Sequence, residues 1–384
     1  MSDSLRHTTA VYRSLAEIPT GFGPSVAAIG NFDGVHLGHR EILSAVVAEA
    51  RAFGTKAVAV TFDPHPDQFL RPERAPKLLT PLDERLRLLA AVGIDAVVVL
   101  RFDAELAQLS ALEFVRRVLV ESLNVCGLHE GGNFRFGHRA EAGVKELGEF
   151  GEEFGFAVRV HEAVRVHGLE VSSSAIREMV SAGDMKRARW MLGRPFGVLS
   201  TPARGRGVGT RLLVPTVNLA AYDGLLPGFG VYVTRLTFAA QRHGLVAGEP
   251  GVSPRRHGPA AGDPDVSPRR HGPVTGDPGV SPRRHGPVTG DPGVSGRCFE
   301  AVTNVGNRPT FEGAGFGVET HILDFEEAEV GEGTLVQLEF LLRLRGEMKW
   351  PSLEALKAQI FKDVARAKRY FRLAGGAAGV GSSE

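Results

Sequence analysis

Cysteine is nearly missing from this chain: two residues in 384, Cys126 and Cys298, lie far apart and do not suggest a disulfide framework. Aromatic side chains make up 7% of the sequence, with two tryptophans. Charge of one sign is also lacking. Lys and Arg balance Asp and Glu to a net charge of +1, which gives no support for a nucleic-acid or membrane-surface partner and leaves room for a small polyanion at most. No apolar run is long enough to cross a bilayer, and the opening Met-Ser-Asp-Ser-Leu-Arg-His has no signal-peptide core, so a cytoplasmic enzyme is expected. The length suits two or three domains with sizeable cores.

Glycine, by contrast, is abundant, with 48 residues, and three of them punctuate Gly30-Asn31-Phe32-Asp33-Gly34-Val35-His36-Leu37-Gly38-His39. Val26 to Ile29 before it reads as a buried strand, and Arg40 to Phe53 after it has apolar residues at helical spacing. Gly30, Gly34 and Gly38 let the backbone approach a ligand closely, while the first helical turn aims free N–H groups and the positive end of the helix dipole at it. His36 and His39, at i and i+3, share one helix face. By residue type the pair suits zinc, a solvated surface or phosphate chemistry. Zinc would want two more ligands, which neither cysteine supplies at the usual spacing, and a strand-to-helix turn favours stabilising charge on a phosphoryl oxygen.

From Val26 to about Gly193, short apolar runs alternate with helical stretches: strands at 57–62, 96–100 and 156–166, helices at about 83–91 and 111–123. Such alternation predicts a mainly parallel sheet covered on both faces, with ligands at the carboxyl ends of the strands. The histidine motif and Phe62-Asp63-Pro64-His65-Pro66 both open on that edge, the latter read as a rigid proline turn. Val171-Ser172-Ser173-Ser174-Ala175-Ile176-Arg177 then leads into a helix, where hydroxyls, N–H groups and a guanidinium can converge on phosphates.

Beyond Gly193 the texture changes to strands at 214–219, 230–236, 298–306, 318–325 and 334–344, followed by a helix at 352–371, which predicts an antiparallel barrel with the helix packed on it. A tandem repeat of period 14 starting at Gly251 interrupts it; rich in Gly and Pro and poor in apolar side chains, residues 248–296 are expected to be a disordered insert in a hairpin loop. Gly205 and Gly207, in a Gly/Arg run, are candidates to cradle phosphate. Thr216 and Asn218, two apart on a strand, present oxygens to one side where Mg²⁺ can bind, and Glu319 on an apolar strand is a candidate general base.

With these residues in place the chain resembles the prokaryotic bifunctional riboflavin kinase/FAD synthetases, through GNFDGVHLGH, TFDPHP, GGNFRFGH, VSSSAIR, VPTVNL, NVGNRPTF and VETHILDF in order over about residues 20–372. The resemblance implies an N-terminal Rossmann-like nucleotidyltransferase domain at 21–193, after an extension at 1–20, and a flavokinase β-barrel at 194–372, before a flexible tail at 373–384. It implies that His36 and His39 stabilise the ATP α-phosphate, with Gly30, Asp33, Gly34, Gly38 and Asn133 beside the nucleotide. Ser173, Ser174 and Arg177 would hold the β- and γ-phosphates. In the barrel Thr216 and Asn218 would hold Mg²⁺ with ATP and Glu319 would take the riboflavin hydroxyl proton, with Asn307, Arg308 and Arg345 as flavin or phosphate contributors. Riboflavin, FMN, FAD and ATP are then the implied small-molecule partners of a monomer or weak homo-oligomer, without nucleic acid or membrane. Gly127-Leu128-His129-Glu130 replaces the family's apolar strand and is expected to weaken it or to alter the first pocket; the insert raises the alternative of a single working half, and a flavin- or nucleotide-sensing protein without turnover is a further alternative.

Overall fold

The structure is a computed structural model that describes residues 8–203, 216–239, 245–247, 297–310, 313–324 and 334–377. Thr9–Tyr12 (β1), Ser25–Ile29 (β2), Lys56–Asp63 (β3), Ala96–Arg101 (β4), Val125–Gly131 (β5) and Ala157–His161 (β6) form one parallel sheet in the order β1-β4-β3-β2-β5-β6. The inner strands are unbroken apolar runs because both faces are covered. Val26, Ala28, Ala57, Ala59, Val97 and Val99 face Leu43, Val46 and Ala50 of helix Leu37–Phe53 (α1) and Leu86 and Leu89 of Leu82–Val92 (α2). The alternate residues Ala27, Ile29, Val58, Val60, Val98 and Leu100 face Val115, Val118 and Leu119. That segment was expected as one α-helix over 111–123, yet it is α-helical only at Ala111–Phe114 and widens to a π-helix over Val115–Ser122, with Val115, Val118 and Leu119 all buried.

Two further differences concern the edges. β1 falls inside the expected N-terminal extension but pairs with β4, and Leu245–Ala247, expected in the barrel domain, runs parallel to β1 at the sheet edge. β5 is not weakened by its polar residues. His129 and Glu130 are buried in it, the Glu130 carboxylate accepts the Ile29 N–H at 2.7 Å, and His129 Nε2 meets Glu49 at 2.9 Å, so each polar atom that the strand buries finds a partner.

The second half is a seven-stranded antiparallel sheet: Phe196–Ser200 (β7), Pro202–Ala203 (β8), Thr216–Leu219 (β9), Gly230–Ala239 (β10), Cys298–Thr310 (β11), Gly313–Ile322 (β12) and Leu335–Gly346 (β13), in the order β7-β13-β10-β11-β12-β9-β8. The two edge strands are joined through Thr201 alone, so the sheet curls into a half-barrel. The strands flanking the repeat are neighbours, Gly230 opposite Val305 through Thr237 opposite Cys298, while residues 248–296 lie outside the described residues. Inside the curl Thr303 bonds Thr234 at 2.8 Å and Thr320 at 3.0 Å, satisfying three buried hydroxyls. On the outer face Val231, Val233 and Val302 pack on Ala367 and Phe371 of helix Leu353–Ala377 (α4). This helix continues into the expected tail at 373–384, since extending a formed helix costs far less than starting one.

Candidate active sites

β2 lies between β3 and β5, where the strand order reverses, and the loops after β2 and β5 therefore part at the carboxyl edge to leave a crevice. The histidine motif fills the first loop. Phe32 and Val35 have left-handed backbones, φ 47° and 38°, which side chains adopt at a cost; both are at most 2% exposed, so burial holds them there. Gly34, at φ 85°, donates its N–H to Thr80 Oγ1 at 2.9 Å. His36 caps α1 by accepting the His39 N–H at 3.3 Å, and the two rings stack with centroids 3.6 Å apart. Burial lowers the His36 pKa to about 4, and burial together with the neighbouring imidazole holds His39 well below its ordinary value. Both are neutral at physiological pH, donors of hydrogen bonds rather than of charge. His39 Nδ1 is buried with no hydrogen-bond partner among the described residues.

Asp33 was expected beside the nucleotide; the structure instead makes it the anchor of the loop. It is 1% exposed and accepts from Leu79 N–H at 3.0 Å, Thr80 N–H at 2.9 Å and Arg177 Nη2 at 2.7 Å. Ser173 Oγ donates to the Asp33 carbonyl at 2.9 Å, so helix Ser173–Ala182 (α3) is fastened to the histidine loop by its first turn. Arg177 also donates to Lys77 O at 3.1 Å, and Ser174 is exposed at the helix start. His36, His39, Ser173 and Arg177, far apart in sequence, are thus joined through Asp33.

A cavity of about 930 Å³ opens from Gly30 and Asn31 and is walled by Phe62, Phe69, Phe102, Phe134 and Phe136, with Asn133 in its lining and Arg71, Arg135 and Arg139 at its polar margin. Gly30 and Asn133, expected beside the nucleotide, both line this cavity, and its phenylalanines and arginines were not among the expected site residues. His65, read as part of a proline turn, caps Pro66–Leu70 and places Nε2 3.1 Å from Asn31 Nδ2. A cluster of phenylalanines after three successive strand ends was the available signal.

In the half-barrel, register decides the second constellation. Asn218 lies opposite Glu319 and Glu319 opposite Asn304, while Thr216 lies opposite His321, so Thr216, Asn218, Glu319 and Asn304 share one face. Asn218 is buried and Thr216 and Glu319 are exposed. Hydroxyl, amide and carboxylate oxygens in one row are hard donors that suit Mg²⁺. Arg345, expected as a flavin or phosphate contributor, bonds the buried Asp363 Oδ2 on α4 through its Nε at 2.9 Å, and its guanidinium covers Trp350 at 5.4 Å. Asn307 and Arg308 stand near the end of β11, opposite Phe316 and Gly315. Gly205 and Gly207 lie outside the described residues.

Family models match both halves, FAD synthetase over residues 20–175 and riboflavin kinase over 192–371. A Pseudomonas fluorescens bifunctional riboflavin kinase/FMN adenylyltransferase is 32% identical over 344 residues, 89% of this chain and 92% of that protein. The chain belongs to this bifunctional family. It is accordingly an enzyme of flavin-cofactor biosynthesis. Proteins of the same description from Haemophilus influenzae, at 28% identity over 89% of this chain and 93% of that protein, and Escherichia coli, at 29% over 91% and 93%, agree. A Streptococcus pneumoniae structure described as a macrolide-efflux protein superposes with TM-score 0.71, covering 94% of this chain and 99% of that one, and at 23% identity it shows likeness of fold alone. Among the described residues no helix is long and apolar enough to cross a membrane.

Proposed function

We propose that the half-barrel converts riboflavin and ATP to FMN and ADP, and that the α/β half then converts FMN and ATP to FAD and pyrophosphate. The observation that carries the second step is the aromatic cavity beginning at Gly30 and Asn31, on the loop that holds the histidine pair. Its phenylalanines suit a flat flavin ring, its arginines suit the FMN phosphate, and its lining includes Gly30 and Asn31 at the start of the histidine loop. An FMN phosphate oxygen attacks the ATP α-phosphorus in line, the bond to the β-phosphate breaks, and pyrophosphate leaves. His36 and His39 donate hydrogen bonds to the α-phosphate, and Ser174, the N–H groups of α3 and the remaining donors of Arg177 receive the departing phosphates.

In the half-barrel Glu319 takes the proton of the riboflavin 5′-hydroxyl as its oxygen attacks the γ-phosphorus, and ADP leaves. Mg²⁺ bound with ATP would be held by Thr216 and Asn218, and when bound it neutralises phosphate charge. ATP is a substrate of both steps, which supports a cytoplasmic place for the enzyme.

Flavins separated by chromatography test this reading. Given riboflavin, ATP and Mg²⁺, Glu319→Gln is expected to form no FMN but to convert supplied FMN to FAD, and His36→Ala to accumulate FMN. Loss of both reactions in either variant would refute two separate sites.

A further inference from the structure

Residues 220–229 link β9, which carries Thr216 and Asn218, to β10, and they close on the α/β half on the way. Leu225 N–H donates to Leu78 O at 2.7 Å, Lys77 Nζ to Asp223 O at 3.3 Å, and Gly228 N–H to Val180 O at 3.2 Å. Tyr222 is packed into the core shared by the halves, where Ile176, Val180 and Leu192 meet Phe196, Val198 and Tyr232. From β13, Arg343 Nη1 donates to Ala182 O, the last residue of α3, at 3.0 Å, and Nη2 donates to Phe229 O. A cation here also meets the negative end of the helix dipole. The fit is close: a Cβ on Gly183 would stand 2.7 Å from Arg343 Cδ.

These contacts hold both supports of Arg177. One is its own helix, gripped at Val180 and Ala182. The other is segment 77–80, whose Lys77 carbonyl accepts from Arg177 and whose Leu79 and Thr80 N–H groups hold its partner Asp33. We infer that the kinase half completes the adenylyl-transfer site, with Arg343 a positioning residue that acts on ATP through α3 and Arg177. This rests on the reading of Arg177 as a phosphate ligand.

The full chain carrying Arg343→Ala is assayed for adenylylation of supplied FMN and for riboflavin phosphorylation. The KM for ATP in adenylylation is expected to rise about three- to tenfold, with the KM for FMN and the kinase rate within about twofold, and Arg343→Lys to recover part of the loss. Added to Arg177→Ala, Arg343→Ala should raise that KM no further, whereas a merely structural role would still add. If Arg343→Ala does not fold, Tyr222→Leu loosens the other arm and should show the same split. A normal KM for ATP in the variant that folds, or an additive effect on Arg177→Ala, overturns the inference alone. A normal KM in Arg177→Ala itself removes the phosphate reading and the inference with it.

Discussion

Lowering the pH from about 7.5 to about 5 is expected to cost the wild-type fold about 2 kcal/mol through His36 alone. Burial holds the His36 pKa at about 4 against an ordinary 6.5, so the unfolded chain binds a proton that the native loop refuses. The contribution is complete above 6.5 and is lost as the pH falls toward 4, reaching about 3 kcal/mol at the lower end. Carboxylates also titrate in this range, so the measurement must be a difference. His36→Asn keeps an acceptor for the cap of α1 and removes the titrating group, while His39 stays in both proteins. Urea unfolding of both proteins, followed by circular dichroism at steps between pH 7.5 and 5, yields the stability gap at each pH. That gap should shift against the wild type by about 2 kcal/mol across the interval. A gap constant to within about 0.5 kcal/mol would refute the claim that the imidazole is neutral because it is buried.

Two other outcomes test the same loop and its neighbour strand. A Cβ on Gly38 would stand 3.3 Å from the His36 ring, so Gly38→Ala should displace the imidazole from its stack and lower adenylylation kcat/KM by about tenfold, leaving riboflavin phosphorylation intact; unchanged adenylylation would count against the need for stacked rings. Burial raises the Glu130 pKa well above the ordinary carboxyl value, so its contribution is full below 4.5 and is lost as the pH rises through the folded value. Glu130→Gln keeps an acceptor for Ile29 N–H, and its Tm should exceed the wild type's at pH 8 and match it near pH 4.5; equal Tm values at both would show that Glu130 is ordinary.

Much of the architecture was legible in the chain because strand and helix periods and the turn glycines are local. Val26–Ile29 and Ala96–Leu100 could be read as buried strands from composition, and the half-barrel strands from their spacing without crossover helices. The helix ends were less legible. Nothing between Ser122 and Ala111 announces a π-helix, since the sharing of Val115, Val118 and Leu119 by one core depends on what packs against them. β1 was missed because four residues carry too little period to register.

The chemical residues divide in the same way. His36, His39, Ser173, Arg177, Thr216, Asn218 and Glu319 stand in short motifs whose residue types suit phosphate and magnesium, so the chemistry proposed for them was legible in the chain. Their partners were not. Asp33 sits in the same motif as the histidines and anchors their loop, and Arg345 pairs with Asp363 on α4, because a charged group takes the nearest buried counter-charge and that choice is made in space. The phenylalanine cavity, the face shared by Asn218 and Glu319, and the grip of Arg343 on α3 likewise join residues far apart in sequence, which only strand order, register and packing can bring together.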